Sequence, residues 1–571
     1  MVYEETIRRL ALENALKFKG KANPKALVGG VMKSHPEAKS QMSDLVQSIK
    51  KIVEEINSLS PDIQKEELLK LDPEFESKQQ EQKAARKEKA NELPDLPGAQ
   101  MGKFVTRIAP GPSKYNHLGH AMSFLINYLY AKKYAGKVIF RFEDTNPDVD
   151  AQIFVDAMKE DCFNYLGIKP DEIIFASDDI EKFYSYVDKL ISEGHAYLSN
   201  DTSEEISLQR RELKPSKDRD KSVDENLKLW DDMKKGVVLD FVVRLKIDCA
   251  HKNAVMRDPV IMRSNTTEHY RQKNKFNVWP MFDFENPIEE GLTGVTHAMR
   301  SNEFDSRIEL HNHIAKLLNF PEVFYKHYGR YNVVGATTQG REIRSLIETG
   351  KYIGWDDPRL VTLRALKRRG IVKEAYYELA KKIGFSKTQT NLDYSVIAAV
   401  NRSLLDKSAK RFFAVKDPVV ITVNNIPENL TQFNLSYYPD DKNKNRKLSC
   451  TKKYYLEKLD NDLVKINQVV RFMDAMNVKK IDSNIYEFAS LSYDEYKVTE
   501  NTASLIHFVP KDGNEIKAEI LLPDTNIQDI ICESNLGTLK PDVVIQFERY
   551  AFVRFDHVRP DGTIQFWYTH D

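Results

Sequence analysis

The sequence predicts a multidomain α/β protein, on three observations. Residues 104–145 run from a short apolar stretch through a turn-rich loop and a helical segment to a second apolar stretch, the strand–loop–helix–strand unit from which parallel sheets are built. The first hundred residues carry apolar side chains at helical spacing. From about Phe412 the pattern changes to short alternating runs separated by turn residues, which marks an all-β region.

Taken in order, residues 1–100 read as an N-terminal helical extension. Ile7, Leu10, Ala11, Ala15 and Phe18 repeat at helical spacing, as do Leu45, Ile49, Ile52, Val53 and Ile56. Ser60-Pro61-Asp62 is a turn and helix start. SKQQEQKAARKEKANE at 77–92 is nearly all polar and reads as a solvated helix, and LPDLPG at 93–98 as a linker.

Residues 101–345 hold the parallel-sheet domain. Phe104 to Ile108 is its first strand, Gly136 stops the helix that ends near Tyr134, and Lys137 to Phe142 is the next strand. The chain then runs helical through Cys162 to Gly167, and Phe183 to Leu190 forms an amphipathic helix ended by Gly194. Residues 200–278 interrupt this domain with a charged, uneven segment. Within it RRELKPSKDRDK at 210–221 reads as a flexible surface stretch, VVLDFVVRLKID as a strand, and HKNAVMRDPVIMR as strand, turn, strand. Residues 346–411 read as helical, broken by WDDPRL, with RALKRRG giving a basic helix end that suits the helix dipole. Residues 412–571 are sized for one or two barrels, and Pro560-Asp561-Gly562 closes a hairpin.

Composition narrows the function classes. Lys+Arg and Asp+Glu are both 85, so any nucleic-acid binding must rest on local basic patches rather than on net charge. Cys162, Cys249, Cys450 and Cys532 are far apart with no C-x-x-C spacing, which argues for reduced thiols in a cytoplasmic setting and against a cysteine zinc site. The N-terminus carries charges throughout and no run is long and apolar enough to span a membrane, so no membrane partner is expected.

The chemistry centres on His117-Leu118-Gly119-His120. The domain lacks G-x-G-x-x-G, which argues against a dinucleotide site. Two histidines three apart at a helix start share a face beside the free N–H groups of the first turn. Imidazole donors there suit a polyphosphate whose charge grows during attack on its α-phosphorus. The alternative is one helix-capping and one packing histidine, and the four residues alone favour it.

The flanking residues shift that balance. TRIAPGPSKYNHLGH followed by VIFRFEDTNPD, then GVTHAMRSNEFDSR, GWDDPRLVTLRALKRRG and QFERYAFVRFD, together resemble the class I aminoacyl-tRNA synthetases in their glutamyl/glutaminyl branch, and among these the archaeal glutamyl enzymes, over nearly the whole chain. The resemblance implies a Rossmann-like nucleotide-binding catalytic domain at 101–345, an inserted acceptor-stem-binding domain at 200–278, a helical connecting domain at 346–411 and an anticodon-binding β-barrel region at 412–571. It implies ATP as substrate with Mg²⁺, L-glutamate, and tRNA(Glu) as partner, with tRNA(Gln) left open. GHAYLSNDTSEE lacks the cysteines that bind zinc in many relatives, so no protein-bound zinc is expected.

By the same resemblance Arg107 and Arg300 approach the glutamate, Ala109 and Phe282 line its site, and Glu143 receives its ammonium group. His117, Gly119, His120 and Glu303 meet ATP. Three positions depart from the family pattern. Phe282 stands where tyrosine is usual, and Gly111 where Ser or Asn is common. The loop that normally reads Lys-Met-Ser-Lys-Ser or a close variant falls on Thr338 to Glu342 and holds no lysine, which leaves Arg341 as its cation. Two other readings stay open: a noncatalytic tRNA-binding paralogue whose loop has lost its lysine, and a nucleotidyltransferase acting on a small molecule, since H-x-G-H occurs there too. The β region disfavours the second of these.

Overall fold

The computed structural model describes residues 3–75 except Lys19, residue Ser77, and residues 93–571 except Ser386 and Lys442. Two compact units result, Met1–Glu92 and Leu93–Asp571. In the first, helices Glu4–Lys17, Pro24–Ser34, Met42–Asn57 and Pro61–Leu71 pack around Ile7, Ala11, Ala15, Leu45, Ile49, Ile52, Val53 and Ile56. The Ser60 hydroxyl caps the last of these by accepting the Ile63 N–H, with Pro61 at the first helical position. Phe18 is the exception to the predicted stripe. It follows the end of the first helix in a non-helical conformation and is exposed. Apart from Ser77, the polar stretch 77–92 lies outside the described residues.

The second unit is built on parallel strands. Val105–Ile108, Lys137–Phe142 and Glu172–Phe175 form one sheet, and His297–Ser301 and Phe324–Tyr328 another. Thr296 joins them: its N–H donates to the Val105 carbonyl at 2.9 Å, and its hydroxyl accepts the Val105 N–H at 3.0 Å. Helix Leu118–Lys133 covers one face, burying Leu118, Met122 and Leu125 with Phe140 and Phe142. Ile139, Val295, Ala298 and Val323 fill the other face. Gly136 does not end the helix by turning left-handed; Ala135 does that, at φ +46°. Gly136 is needed because a Cβ there would stand 2.1 Å from the Phe104 carbonyl oxygen.

The interrupting segment is an antiparallel sheet of Ala196–Ser199, Val242–Leu245, Val260–Ser264 and Val278–Pro280, so it begins before residue 200. The stretch 210–221 is tied down rather than free. The Asp218 carboxylate accepts the Asn200 N–H at 3.2 Å, Arg219 pairs with Asp258 at 2.7 Å, and Ser216 and Asp218 are buried. The first arm of the predicted hairpin at 251–263 is a 3₁₀ turn, Ala254–Met256, because the Asn253 side chain caps it through the Val255 N–H.

Helices Gly340–Glu348, Leu363–Arg368, Lys373–Ile383 and Tyr394–Leu405 follow. They are interrupted by a strand the pattern did not reveal, Thr390–Leu392, parallel to Tyr331–Val333. The basic end of RALKRRG does more than satisfy a dipole. Arg368 grips Asp556 through two bonds of 3.0 and 2.8 Å, and the Arg369 guanidinium lies 3.5 Å from the centre of the Tyr394 ring.

Among the described residues, 410–571 form a seven-stranded, a six-stranded and a two-stranded sheet around two main cores. Successive residues of an extended chain face opposite ways. Accordingly Phe412 and Ala414 enter one core while Phe413 and Val415 enter the other. The last strand, Ile564–His570, lies inside the seven-stranded sheet between Ala551–Val558 and Ile516–Leu521. The Pro560-Asp561-Gly562 turn closes its hairpin, with Gly562 at φ +87°.

Candidate active site

A cavity of about 440 Å³ opens at the carboxyl ends of the parallel strands, where such sheets bind ligands. Arg107, Ala109, Glu143, Phe282 and Arg300 line it together with His117, Gly119, His120 and Glu303. Arg341 does not. It stands exposed in the first turn of helix Gly340–Glu348, outside the cavity wall.

The two histidines cap the helix and also line the cavity. His117 Nδ1 accepts the Gly119 N–H at 3.1 Å, and His120 Nδ1 accepts the His117 N–H at 3.2 Å, a reciprocal cap of helix Leu118–Lys133. A ring nitrogen that accepts a backbone N–H carries no proton, so both rings keep theirs on Nε2. The rings stack with centroids 3.8 Å apart. Burial, and then the nearby Lys114 charge, push His117 down to about 3; burial and its neighbours push His120 well below the usual imidazole range. The pair is therefore neutral near pH 7 and presents N–H donors beside a helix end that holds no acidic residue in its first turn. Gly119 is closely fitted, since a Cβ would come within 3.1 Å of the Tyr331 carbonyl oxygen and of the His117 ring. The segment after WDDPRL holds the motif in place: Leu118 donates to the Val361 carbonyl at 3.1 Å and Leu363 to the Asn116 carbonyl at 2.9 Å.

Charge pairing separates the arginines. Arg107 bonds the buried Glu290 at 2.9 Å, and Glu290 also accepts the Tyr325 hydroxyl at 2.7 Å. Buried Arg141 pairs with Glu143 at 2.8 Å. Arg300, also buried, has no carboxylate within ion-pair distance among the described residues. Its guanidinium bonds Asn286 at 3.1 Å, His327 at 3.2 Å and His311 at 3.3 Å, and lies 4.8–5.0 Å from the Tyr325 and Phe304 ring centres. Its acidic sequence neighbours are engaged elsewhere, Glu303 with Ser301 and Asp305 with His327. Phe282 begins helix Phe282–Leu292 and packs its ring on Phe304.

Sequence reasoning missed several lining residues. Asn286 donates to Glu143 at 2.8 Å while accepting from Arg300, and so fixes a carboxylate and a guanidinium relative to one another. Its spacing of four from Phe282 on one helix was the available signal. Lys114 and Arg330 are cations on the cavity wall. Beside Glu143, the Asp144 carboxylate accepts from Ser177 and Tyr270, tying the strand end to the inserted sheet's neighbourhood.

A family model described as tRNA synthetases class I (E and Q), catalytic domain, matches residues 103–407, and the anti-codon binding domain of the same class matches residues 409–494. The chain is 37% identical to the glutamate–tRNA ligase of Pyrococcus abyssi over 99% of both chains. It is 36% identical to that of Methanocaldococcus jannaschii, over 98% of this chain and 99% of that one. A solved glutamate tRNA ligase from Elizabethkingia meningosepticum is 17% identical, with a TM-score of 0.39 over 53% of this chain and 70% of that one.

Proposed function

We infer that the chain, which belongs to the class I tRNA synthetases for glutamate and glutamine, is a glutamate–tRNA ligase. It activates L-glutamate with ATP and transfers it to the 3′ end of tRNA(Glu). The observation that carries the choice of amino acid is the charge count at the cavity. Glu290 neutralises Arg107 and Glu143 neutralises Arg141, whereas Arg300 stays a buried cation among neutral partners. A buried unpaired charge is costly, and an anionic side chain entering the cavity removes that cost. Glutamine does not.

The mechanism needs no protein nucleophile. The glutamate α-carboxylate attacks the α-phosphorus of ATP in line, an oxygen–phosphorus bond forms, and pyrophosphate leaves with the electrons of the broken anhydride bond. The terminal adenosine hydroxyl of the tRNA then displaces AMP. Positioning and charge stabilisation supply the rate. In this reading Arg300, assisted by Arg107, holds the side-chain carboxylate. Glu143 accepts the α-ammonium, and Ala109 and Phe282 shape the pocket between them. His117 and His120 donate Nε2–H to the phosphates at the helix end, and Gly119 and Glu303 border the nucleotide. Mg²⁺ is taken to arrive with ATP. Among the described residues no group of three or more His, Cys, Asp or Glu is placed to hold a metal ion. The 412–571 region is assigned to the anticodon, and the four separate free cysteines fit a cytoplasmic setting.

The test is aminoacylation with labelled glutamate on tRNA(Glu) and on tRNA(Gln). Charging of tRNA(Glu) is expected, and charging of both would mark a nondiscriminating enzyme. Tight tRNA binding with no adenylate formed on either would instead favour the noncatalytic paralogue.

A further inference from the structure

The loop at Thr338–Glu342 carries no lysine, and Arg341 is exposed and does not line the cavity. A phosphate site that develops charge during attack still needs a cation near the leaving group. Lys114 is placed to be one. It sits three residues before His117, in the loop that feeds the helix, and lines the main cavity. It also lines a smaller pocket with His117, Thr337, Thr338 and Gly340. Its side chain is half-buried, and among the described residues it has neither a hydrogen bond nor an ion pair. Its charge is felt by both histidines. Gly340 rests directly on it: a Cβ at Gly340 would stand 3.5 Å from the Lys114 Cβ. Arg330, the other cation on the wall, is exposed and lies 4.0 Å from the Glu303 carboxylate.

We propose that Lys114 is the catalytic cation that this loop lacks, its ammonium contacting the ATP phosphates next to His117 as pyrophosphate departs. The inference rests on the ligase reading above. Lys114 gains and loses no proton in the step; it stabilises the negative charge that accumulates on the leaving pyrophosphate while the carboxylate–phosphorus bond forms. Lysine serves here as a compact point charge on a flexible stem, able to follow the phosphates as they separate. The cation has in effect moved from the loop that covers the nucleotide to the loop beneath it, and the absence of a side chain at Gly340 leaves room for the two to meet.

The experiment compares ATP–pyrophosphate exchange, with tRNA present, in the wild type, Lys114→Ala, Lys114→Arg, Arg341→Ala and the double variant Lys114→Ala/Gly340→Lys. Lys114→Ala is expected to lower the exchange rate ~10²–10³-fold, as loss of one preorganised electrostatic contact does, with glutamate KM and melting temperature near wild type. Lys114→Arg should keep part of the rate, and Arg341→Ala most of it. Lysine restored at position 340 should recover at least ~10-fold of the loss, a result no structural role for Lys114 would give. Near wild-type exchange in Lys114→Ala, or an equal loss in Arg341→Ala, would overturn the assignment while leaving the ligase reading intact. A wild type without exchange would overturn the ligase reading itself, and Lys114 with it.

Discussion

Replacing Arg300 with methionine keeps an unbranched apolar stem and removes the charge, and the structure gives the size of the effect. In the fold the guanidinium is held by three neutral groups and two aromatic faces, with no carboxylate at ion-pair distance among the described residues. Burial accordingly disfavours its charged form, the nearby Glu290 working the other way. A glutamate side chain bound opposite methionine would itself be a buried, uncompensated charge, which costs ~3–5 kcal/mol. At about 1.4 kcal/mol per tenfold this is a loss of ~10²–10⁴ in kcat/KM for glutamate. Arg107 does not take over, because Glu290 already neutralises it. The fold, by contrast, loses no ion pair, so the melting temperature should hold or rise. Exchange assays with glutamate and glutamine in parallel, together with a thermal melt, read both effects. Equal losses for the two amino acids with a fall in melting temperature would mean that Arg300 supports the fold and that selection lies elsewhere.

Three further outcomes follow from the described geometry. His117→Ala and His120→Ala should each lower adenylate formation ~10²–10³-fold and cost the helix cap about 1 kcal/mol; because burial holds His117 at about 3, wild-type exchange should show no histidine titration near pH 6.5, and such a limb, if removed by His117→Ala, would contradict the neutral pair. His507 is held neutral, at about 4 against an ordinary 6.5, by burial and the Arg549 charge, with its ring bonded to the Ala414 carbonyl. The unfolded chain therefore takes up that proton first, so this stability is complete above pH 6.5 and declines toward pH 4, by about 2 kcal/mol at pH 5; urea unfolding of His507→Gln should lack this dependence, and a slope equal to wild type would refute it. Arg368→Ala should remove the two-bond grip on Asp556 and destabilise the protein by ~1.5–3 kcal/mol, read as faster proteolysis near residues 405–412, whereas unchanged cleavage would mean the grip contributes nothing.

How much of this was legible in the sequence depends on range. The strand–loop–helix–strand unit could be read because its signals are local: apolar runs, a turn-rich loop and two histidines at a helix start. The same holds for the Ser60 cap and the Gly562 turn. Strand Thr390–Leu392 escaped because three residues carry no periodicity and its partner lies far back in the chain at Tyr331–Val333. The Ala254–Met256 turn resembled a strand because apolar content alone does not separate the two. In the site, residue types were readable but pairings were not. Arg107, Arg141 and Arg300 look alike in a sequence, and only packing shows which of them has a carboxylate. Asn286 had only its helical spacing from Phe282 to mark it, and Lys114 had no signal, since it acts by lying beside a loop that follows it by more than two hundred residues.

The strand that serves both β cores has a consequence for how the protein is made. Residues 410–416 are made well before their partners, Val544–Phe547 on one side and Ile527–Cys532 on the other. Between those partners the sheet is complete only when Ile564–His570 is in place. The core that Phe412 and Ala414 enter thus cannot be sealed until Ile564–His570 has been made, whereas Phe413 and Val415 join a core whose other buried residues end at Val509. Such long-range pairing is slow and leaves strand edges open to other chains. Loss of Ile564–His570 would remove a middle row of the sheet rather than a dispensable edge. The nascent β region should therefore need shielding for longer than the parallel-sheet domain that precedes it, and loss of the final ten residues should yield aggregated rather than merely shortened protein.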